Sequence, residues 1–574
     1  MTNTDIAAVF EELADLLEFR GENPFRVRAY RNAARTISEL PEEVEAIAGD
    51  SERALTDLPG IGKDLAEKIR TLLETGTLPQ LEELKAEIPE SVLAMLRVPG
   101  LGPKRAAVLF RELNITSLDE LAEACRQQKI RKLKGFGAKT EESILKGIAI
   151  AASADERTLW YFADKYVQEI RTHLEASPAV KKLEAAGSYR RCRETVGDLD
   201  FLIDSDDPAA VMDRFAEYER IDEVLLRGDT KMSVRLVDGI QVDLRVVPAE
   251  SFGAALQYFT GSKEHNVILR GMAKDRGLKV NEYGVFRGEE YVAGADEADV
   301  YAALDLPWIP PELREGRREF EWAAEGKLPE LIELDDIRGD LHMHTNWSDG
   351  ADSIETMVEG AKAHGYEYVA ITDHSKRVTI AGGLDAERLL KQWEEIDRIN
   401  AKQKGIRVLK GVEVDILEDG PLDLPDDVLG QADWVVASVH FGQSQSRDRI
   451  TKRVVDALAH PAVCAIAHPT GRLLLERDPY AIDMEAVFSA AAEHKKLLEL
   501  NAHPRRLDLN DVHLAAAKQY GIPIVISTDA HNINRLDHMI CGIRQARRGG
   551  LGKNDVANTR PWREFKKLLP KYRR

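Results

Sequence analysis

Cysteine is scarce: Cys125, Cys192, Cys464 and Cys541 are the only four in 574 residues, and no two form a CxxC pair. Such spacing excludes a zinc ribbon or a disulfide framework and fits reduced thiols in a cytoplasm. Long apolar runs are missing as well. No stretch approaches the roughly 18–20 residues that a membrane span needs, which excludes a membrane protein. The opening Met1-Thr2-Asn3-Thr4-Asp5 has neither the basic nor the apolar region of a secretory signal. Positive charge is in deficit, with 79 Lys and Arg against 99 Asp and Glu, a net charge of −20. Taken alone, that argues against nucleic acid. Cations bound by carboxylates cancel part of such a count, however, so the local distribution says more. Histidine is nearly absent from the first 340 residues, where only His173 and His265 of 14 occur. Solvated histidines would scatter, so the C-terminal part uses them.

At 574 residues the chain exceeds one core, and about 100–200 residues per domain gives several units. Residues 1–88 and 89–150 read as short amphipathic helices. Residues 151–250 turn to strands, and 251–315 are mixed. The charged stretch 316–335, with Gly316, Gly326 and Pro329, is the expected linker. From 336 to 574 apolar strands alternate with helical segments, which implies parallel strands in an α/β barrel or sheet. Seven strands are expected to end near His344, His374, Glu413, His440, His468, His503 and His531. Working residues in such folds sit at the C-terminal strand ends.

Three turns in the helical part share one form, apolar-x-Gly-apolar-Gly, each opening a helix: Leu58-Pro59-Gly60-Ile61-Gly62-Lys63, Val98-Pro99-Gly100-Leu101-Gly102-Pro103-Lys104 and a weaker Lys134-Gly135-Phe136-Gly137-Ala138-Lys139. Exposed N–H groups at a helix N-terminus hold a phosphate without reading sequence. One such turn is ordinarily a plain loop; three point to a helix-hairpin-helix DNA-backbone binder.

Gly187-Ser188-Tyr189-Arg190-Arg191 precedes Gly197-Asp198-Leu199-Asp200. Asp198 and Asp200, two apart on a strand, project from one face. With Asp243 on another strand they suit two Mg²⁺ (or Mn²⁺) ions roughly 3.5–4 Å apart. The Gly187–Ser188 turn, Gly197 and Arg191 are placed to cradle phosphates. Farther on, His342, His344, Asp349, His374, Glu413, His440, His468, Asp529 and His531 fall at successive strand ends. Mixed imidazole and carboxylate donors suit Mn²⁺ and/or Zn²⁺ better than Mg²⁺ alone. Arg505 and Arg506 follow the sixth strand as candidate phosphate contacts or plain surface residues. His364, His460, His494, His513 and His538 fit no pattern and read as structural.

The Gly-Ser and Asp-x-Asp signature resembles the X family of DNA polymerases, and the likeness runs through Tyr258-Phe259-Thr260-Gly261-Ser262 to Asn281-Glu282-Tyr283. The resemblance implies that Tyr258, Phe259 and Gly261 abut the incoming sugar. It also implies that Asn266 contacts the incoming base and Arg270 the templating side. Lys263 stands where a vertebrate relative has an acidic residue, and Val196 where a phosphate-contacting serine is usual. The stretch Leu58–Ile69 resembles the lyase domain of polymerase beta, which makes Lys68 the match for the Schiff-base lysine. Lys63, Arg26, Arg28 and Arg31 are candidates to lower its pKa. The C-terminal set resembles the PHP phosphoesterase family. That likeness implies three metals: one on His342, His344, Glu413 and Asp529, a second on Glu413, His440 and His468, a third on Asp349, His374 and His531.

The fold implied is multidomain: helix-hairpin-helix domains, an α+β nucleotidyltransferase palm, and a distorted seven-stranded β/α barrel of PHP type. The function implied is a cytoplasmic, monomeric DNA polymerase that fills short gaps in base excision repair. Its partners would be gapped or nicked double-stranded DNA and deoxynucleoside triphosphates. The barrel would act as a 3′–5′ exonuclease, with abasic-site endonuclease or 3′-phosphatase activity also implied. The rival enzyme is a template-independent nucleotidyltransferase fused to a small-molecule phosphatase, which the three hairpins disfavour. A scaffold with dead sites is disfavoured by the complete ligand sets.

Overall fold

A computed structural model describes all residues except 2, 39, 41–42, 51–52, 99–100, 153–156 and 573–574. Two compact units are formed. The first holds Met1–Thr158, Tyr166–Ala186 and Gly197–Phe252, and the second holds Leu159–Lys165, Gly187–Val196 and Gly253–Arg574.

In the first unit, amphipathic helices bury one stripe each. Helix Pro24–Ser38 buries Val27, Tyr30, Ala33, Ala34 and Ile37, a spacing of three and four residues. The described parts of the three hairpin turns share one buried apolar residue and one backbone bond. Ile61, Leu101 and Phe136 are buried in the helical core. Their amides donate back to Leu58, Val98 and Leu133 at 3.1, 2.9 and 3.1 Å. Gly60 and Gly135 take positive φ of 79° and 90°, which favours glycine. Gly62, Gly102 and Gly137 then open helices Lys63–Thr75, Pro103–Leu113 and Ala138–Ala152.

The same unit carries a five-stranded sheet of β1 (Lys182–Ala185), β2 (Asp198–Asp204), β3 (Ile221–Arg227), β4 (Lys231–Leu236) and β5 (Gln241–Val247), in the order β1-β2-β5-β4-β3. Only β2 and β5 run parallel. Val242, Leu244 and Val246 are buried and alternate with less buried residues, so one face packs and the other is free for polar groups.

The second unit begins with helices Phe252–Thr260 and Lys263–Asp275 and an antiparallel sheet of β6 (Lys279–Asn281), β7 (Gly284–Arg287) and β8 (Glu290–Ala293). The expected linker is not a free tether. Glu319 is buried, and its carboxylate accepts from the amides of Gly316 and Arg317 at 2.6 and 2.8 Å and lies 2.9 Å from His265 Nδ1. Arg317 pairs with Asp511 at 3.1 Å. Several charges of this stretch are therefore paired, as Arg317 with Asp511 and Arg318 with Glu321.

The barrel strands are β9 (Gly339–Asp340), β10 (Tyr368–Ile371), β11 (Arg407–Asp415), β12 (Trp434–Ser438), β13 (Ala465–Ile466), β14 (Leu497–Asn501) and β15 (Ile524–Ser527). They pair in sequence order, all parallel. Such strands are covered on both faces, which explains their unbroken apolar runs. A bridge from Met343 to Ala530 nearly closes the barrel, with His344 N donating to Ala530 O at 2.8 Å. Alternate residues form two cores. Tyr368, Ala370, Leu409, Trp434, Val436, Ala465 and Val525 pack with Phe565 and Leu569 of the C-terminal segment. Val369, Ile371, Val408, Val435 and Ile524 face the helices. Strand β11 runs two residues past Glu413, to Asp415; the other strands stop within about four residues of the expected positions.

Gly339 admits no side chain, because a Cβ there would lie 2.3 Å from the carbonyl oxygen of Tyr368 on β10. Gly339→Ala should cost about 1–3 kcal/mol through forced separation of β9 and β10. The barrel's unfolding midpoint in urea should fall accordingly, and an unchanged midpoint would refute the clash.

Candidate active sites

On β2, Asp198 and Asp200 share a face, and Asp200 lies directly opposite Asp243 on β5. Neighbouring strands are about 4.8 Å apart, so the two carboxylates adjoin. Burial and the charges of Asp198 and Asp243 push the Asp200 carboxyl up to about 8, against the pull of Arg245 and Lys231. Asp243 accepts from Ser233 Oγ and, at 3.2 Å, from Gln241 Nε2, with Lys231 Nζ at 3.7 Å. Carboxylates that hold a proton for want of a cation are the donor set a divalent ion fits.

The turn that precedes β2 lies in the second unit. Gly187 has φ +63°, and a short helix follows over Gly187–Arg190. Arg190 and Arg191 both grip Thr260. Arg190 donates to Thr260 Oγ1 at 2.8 Å and to both oxygens of Glu297 at 2.7 and 3.0 Å. Arg191, expected to face a phosphate, donates to Thr260 O at 2.8 Å and to Glu315 at 3.2 Å. The double arginine therefore fixes the Tyr258-Phe259-Thr260-Gly261 segment against the turn. Gly261 is required because a Cβ would lie 2.8 Å from Asn266 Oδ1. Asn266 is buried; its amide donates to Tyr258 O at 2.7 Å and accepts from Gln257 at 2.9 Å. Lys263 and Arg270 are exposed on the same helix.

At the barrel's C-terminal mouth, three groups of side chains have ligand atoms within 4.8 Å of one another: His344, Asp349, His374 and His531; His342, His344 and Asp529; His374, Glu413 and His440. Glu413, 1% exposed, lies among imidazoles of all three groups. Its Oε2 lies 2.8, 3.5 and 3.7 Å from nitrogens of His374, His342 and His344, and its Oε1 lies 3.0 and 3.3 Å from His468 and His440. Asp529 Oδ1 is 3.1 Å from His344 Nε2, and Asp349 Oδ2 is 3.3 Å from His531 Nε2. All nine expected ligands thus converge, with His344 and His374 each standing between two groups. Asp529 and His468 take positive φ of 54° and 29°, a conformation that clusters at functional sites.

The cluster is under-satisfied as it stands. His342 Nε2, both ring nitrogens of His344, His374 Nδ1 and Glu413 Oε2 are buried without a hydrogen-bond partner. Buried polar atoms are almost always paired, so this concentration fits metal ions. Burial, with His531 and His374 nearby, pushes His344 down to about 3, which leaves a neutral donor. Burial opposes the charge on Glu413, but His374, His440 and His342 hold its carboxyl well below the usual range. Arg505 pairs with Glu476, and Arg506 Nε lies 3.7 Å from Asp529.

Lys68 differs from expectation. Its ammonium is 2.5 Å from Asp64 Oδ1, one helical turn away, and 5.8 Å from the Tyr30 ring. Arg31 is held by Asp15 and Glu18, and Arg26 by Glu22. An anion, Asp64, therefore adjoins Lys68. Gly100 lies outside the described residues, and Lys104 is described only as part of its helix.

Comparison with known proteins agrees with these parts. Residues 1–78 match the model of a helix-hairpin-helix domain, 92–149 a SAM-like helix-hairpin-helix tandem, 255–315 the DNA polymerase beta thumb, and 340–503 the PHP domain. Over 573 residues the chain is 43% identical to DNA polymerase/3′-5′ exonuclease PolX of Bacillus subtilis (strain 168), covering 99% of both chains. The chain belongs to the X family of DNA polymerases that carry a PHP domain. Its C-terminal part alone is 34% identical over 236 residues to "Probable phosphatase Teth514_1060" of Thermoanaerobacter sp. (strain X514), covering 38% of this chain and 89% of that protein. It is also 32% identical over 212 residues to a "Probable phosphatase" of Acetivibrio thermocellus, covering 35% of this chain and 83% of that protein.

Within this PHP-bearing polymerase, buried acidic residues not expected as ligands support the site, and one of them orients an imidazole. Glu499 on β14, 1% exposed, has Oε1 2.6 Å from His342 Nδ1, and its Oε2 accepts from His468 N at 2.7 Å. The first contact turns His342 Nε2 toward Glu413 and Asp529. Asp340, pushed up to about 6 by burial, accepts from Thr528 and His342 amides at 3.1 and 3.4 Å and ties β9 to β15. Asp373 accepts from Thr345 N at 2.8 Å and Gln392 at 2.6 Å. The available signal was a charged residue inside an apolar run, as in Leu497-Leu498-Glu499-Leu500.

Partners that orient metal-binding imidazoles are worth about 10–100-fold in affinity. Glu499→Gln should therefore weaken Mn²⁺ binding by about that factor in a calorimetric titration. Wild-type affinity would show that His342 needs no anchor.

Proposed function

We propose that this chain is a template-directed polymerase that fills short gaps during base excision repair and trims 3′ ends with its barrel. Its substrates are gapped or nicked double-stranded DNA and deoxynucleoside triphosphates. The observation that carries the reading is 43% identity, over 99% of both chains, with a polymerase/exonuclease, in a chain that has both expected ligand sets. Asp198, Asp200 and Asp243 would hold Mg²⁺ or Mn²⁺. Those ions, when bound, supply charge stabilisation for in-line displacement of pyrophosphate. The chain's own part is positional. The Gly187–Arg190 turn presents backbone N–H groups to the triphosphate, and Thr260, gripped by Arg190 and Arg191, sets the wall of Tyr258 and Phe259 beside the sugar. The hairpins Gly60–Lys63, Gly102–Lys104 and Gly135–Gly137 hold DNA phosphates through helix N-termini.

In the barrel, His342, His344 and Asp529 with Glu413, then Glu413, His440 and His468, then Asp349, His374 and His531 would hold Mn²⁺ and/or Zn²⁺ for phosphodiester hydrolysis. The phosphatases that resemble the barrel favour 3′-phosphatase activity on the same site, beside abasic-site cleavage. No helix among the described residues is long and apolar enough to cross a membrane, and we place the enzyme in the cytoplasm as a monomer.

Asp200→Ala and Asp243→Ala should each abolish primer extension on gapped DNA while Mn²⁺-dependent 3′–5′ degradation persists. Glu413→Ala and His440→Ala should do the reverse. Loss of both activities in either pair would mean that the two centres are not separate.

Lys68 is proposed as the amine that forms an imine with a 5′-deoxyribose phosphate, released from Asp64 when DNA binds. Borohydride should trap the adduct with wild type and not with Lys68→Ala. Equal trapping would assign the chemistry to another amine.

A further inference from the structure

The turn Gly187–Val196 and the segment Leu159–Lys165 pack as one unit with the barrel. The barrel element that meets them is helix Met539–Arg548, which starts eight residues after the candidate ligand His531. Its Cys541, Arg544, Gln545 and Arg548 are spaced 3, 4 and 7 residues apart and share one face. An inward helix face is normally apolar. Here it carries two cations and an amide, and they have defined partners.

Arg548, 2% exposed at its side chain, donates to the carbonyl of Arg191 at 2.8 Å and pairs with Glu315 and Asp511 at 2.8 and 2.7 Å. Gln545 donates to Glu194 at 2.6 Å. Arg544 lies 3.5 Å above the Trp160 ring. Trp160 in turn donates to Tyr189 O at 3.0 Å and stacks on Tyr189, whose hydroxyl donates to Asp164 at 2.5 Å. A second barrel element reaches the same turn: Arg472, four residues past His468, forms two bonds to Glu194, one of them 3.2 Å. Glu194 itself is four residues before Asp198. The turn is therefore held directly at Arg191 and Glu194 from the phosphoesterase domain, and at Tyr189 through Trp160, which Arg544 covers.

We propose that Arg472, Arg544, Gln545 and Arg548 of the barrel are positioning residues for nucleotide addition, holding the Gly187–Val196 turn in its triphosphate-binding shape. The inference rests on the polymerase reading. Buried ion pairs contribute little net stability, because desolvation offsets their attraction, whereas they do fix geometry. A bonded network of this kind is thus better suited to shaping the turn than to holding the domains together.

The test uses full-length protein on one-nucleotide-gapped DNA with Mg²⁺ and varied deoxynucleoside triphosphate. Removing both charges together, Glu194→Gln with Arg472→Met, avoids leaving one member of that ion pair buried without the other. This variant should raise KM for the nucleotide about fivefold or more, with kcat changed less than about twofold. Arg544→Gln, at a partly exposed position, should raise KM about threefold and leave single-strand degradation within about twofold of wild type. Arg544→Lys, which keeps a cation over Trp160, should restore KM. If the double variant does not fold, the Arg544 series decides alone. Wild-type KM in the folded variants, or a fall in kcat with KM unchanged, overturns the proposal. Absence of primer extension by the unaltered protein would refute the polymerase reading itself.

Discussion

A single buried carboxylate sets the terms for the barrel. Glu413 is 1% exposed and has five imidazoles within 3.7 Å. A charge removed from water is tolerated only when it is paired or coordinates a cation. The surroundings are arranged to that end. Glu499 orients the His342 ring, and Asp340 and Asp373 accept from backbone amides beside the ligands. The parallel barrel makes this possible, since seven strand ends converge on one mouth while Phe565 and Leu569 pack into the interior apolar core.

The acidic balance of the chain has the same origin. Some of its carboxylates are gathered in clusters. Asp198, Asp200 and Asp243 adjoin on the five-stranded sheet, the barrel gathers Asp349, Glu413 and Asp529, and others are locked to buried guanidinium groups. Arg314 pairs with Glu297 at 2.6 Å and Arg548 with Asp511 at 2.7 Å. The net charge of −20 already counts those arginines, so only cations held by the gathered carboxylates would offset part of it.

Periodicity and spacing made the sites legible wherever the chemistry is carried by neighbours in sequence. Asp198 and Asp200 had to share a face because strand side chains alternate, and the structure adds only that Asp243 stands opposite Asp200. The three hairpins were readable because glycine is needed at Gly60 and Gly135 for positive φ. Lys68 was less legible. Its neighbours depend on which helix faces it, and the structure puts Asp64 there and sends Arg31 to Asp15 and Glu18. Arg191 was misjudged in emphasis for the same reason, since its partners Thr260 and Glu315 lie 69 and 124 residues away.

The amino-acid sequence by itself determined the residue types at the two metal centres, the alternation of strands and helices, and the glycine turns. Each of these follows from local rules of backbone conformation and side-chain direction. Only the tertiary structure decided which carboxylates support the ligands, that the 316–335 stretch is packed, and that the Gly187–Val196 turn is held by a barrel helix. Glu499 meets His342 across 157 residues and Gln545 meets Glu194 across 351. Contacts between residues so far apart in the chain follow from how strands and helices pack, which no local pattern records.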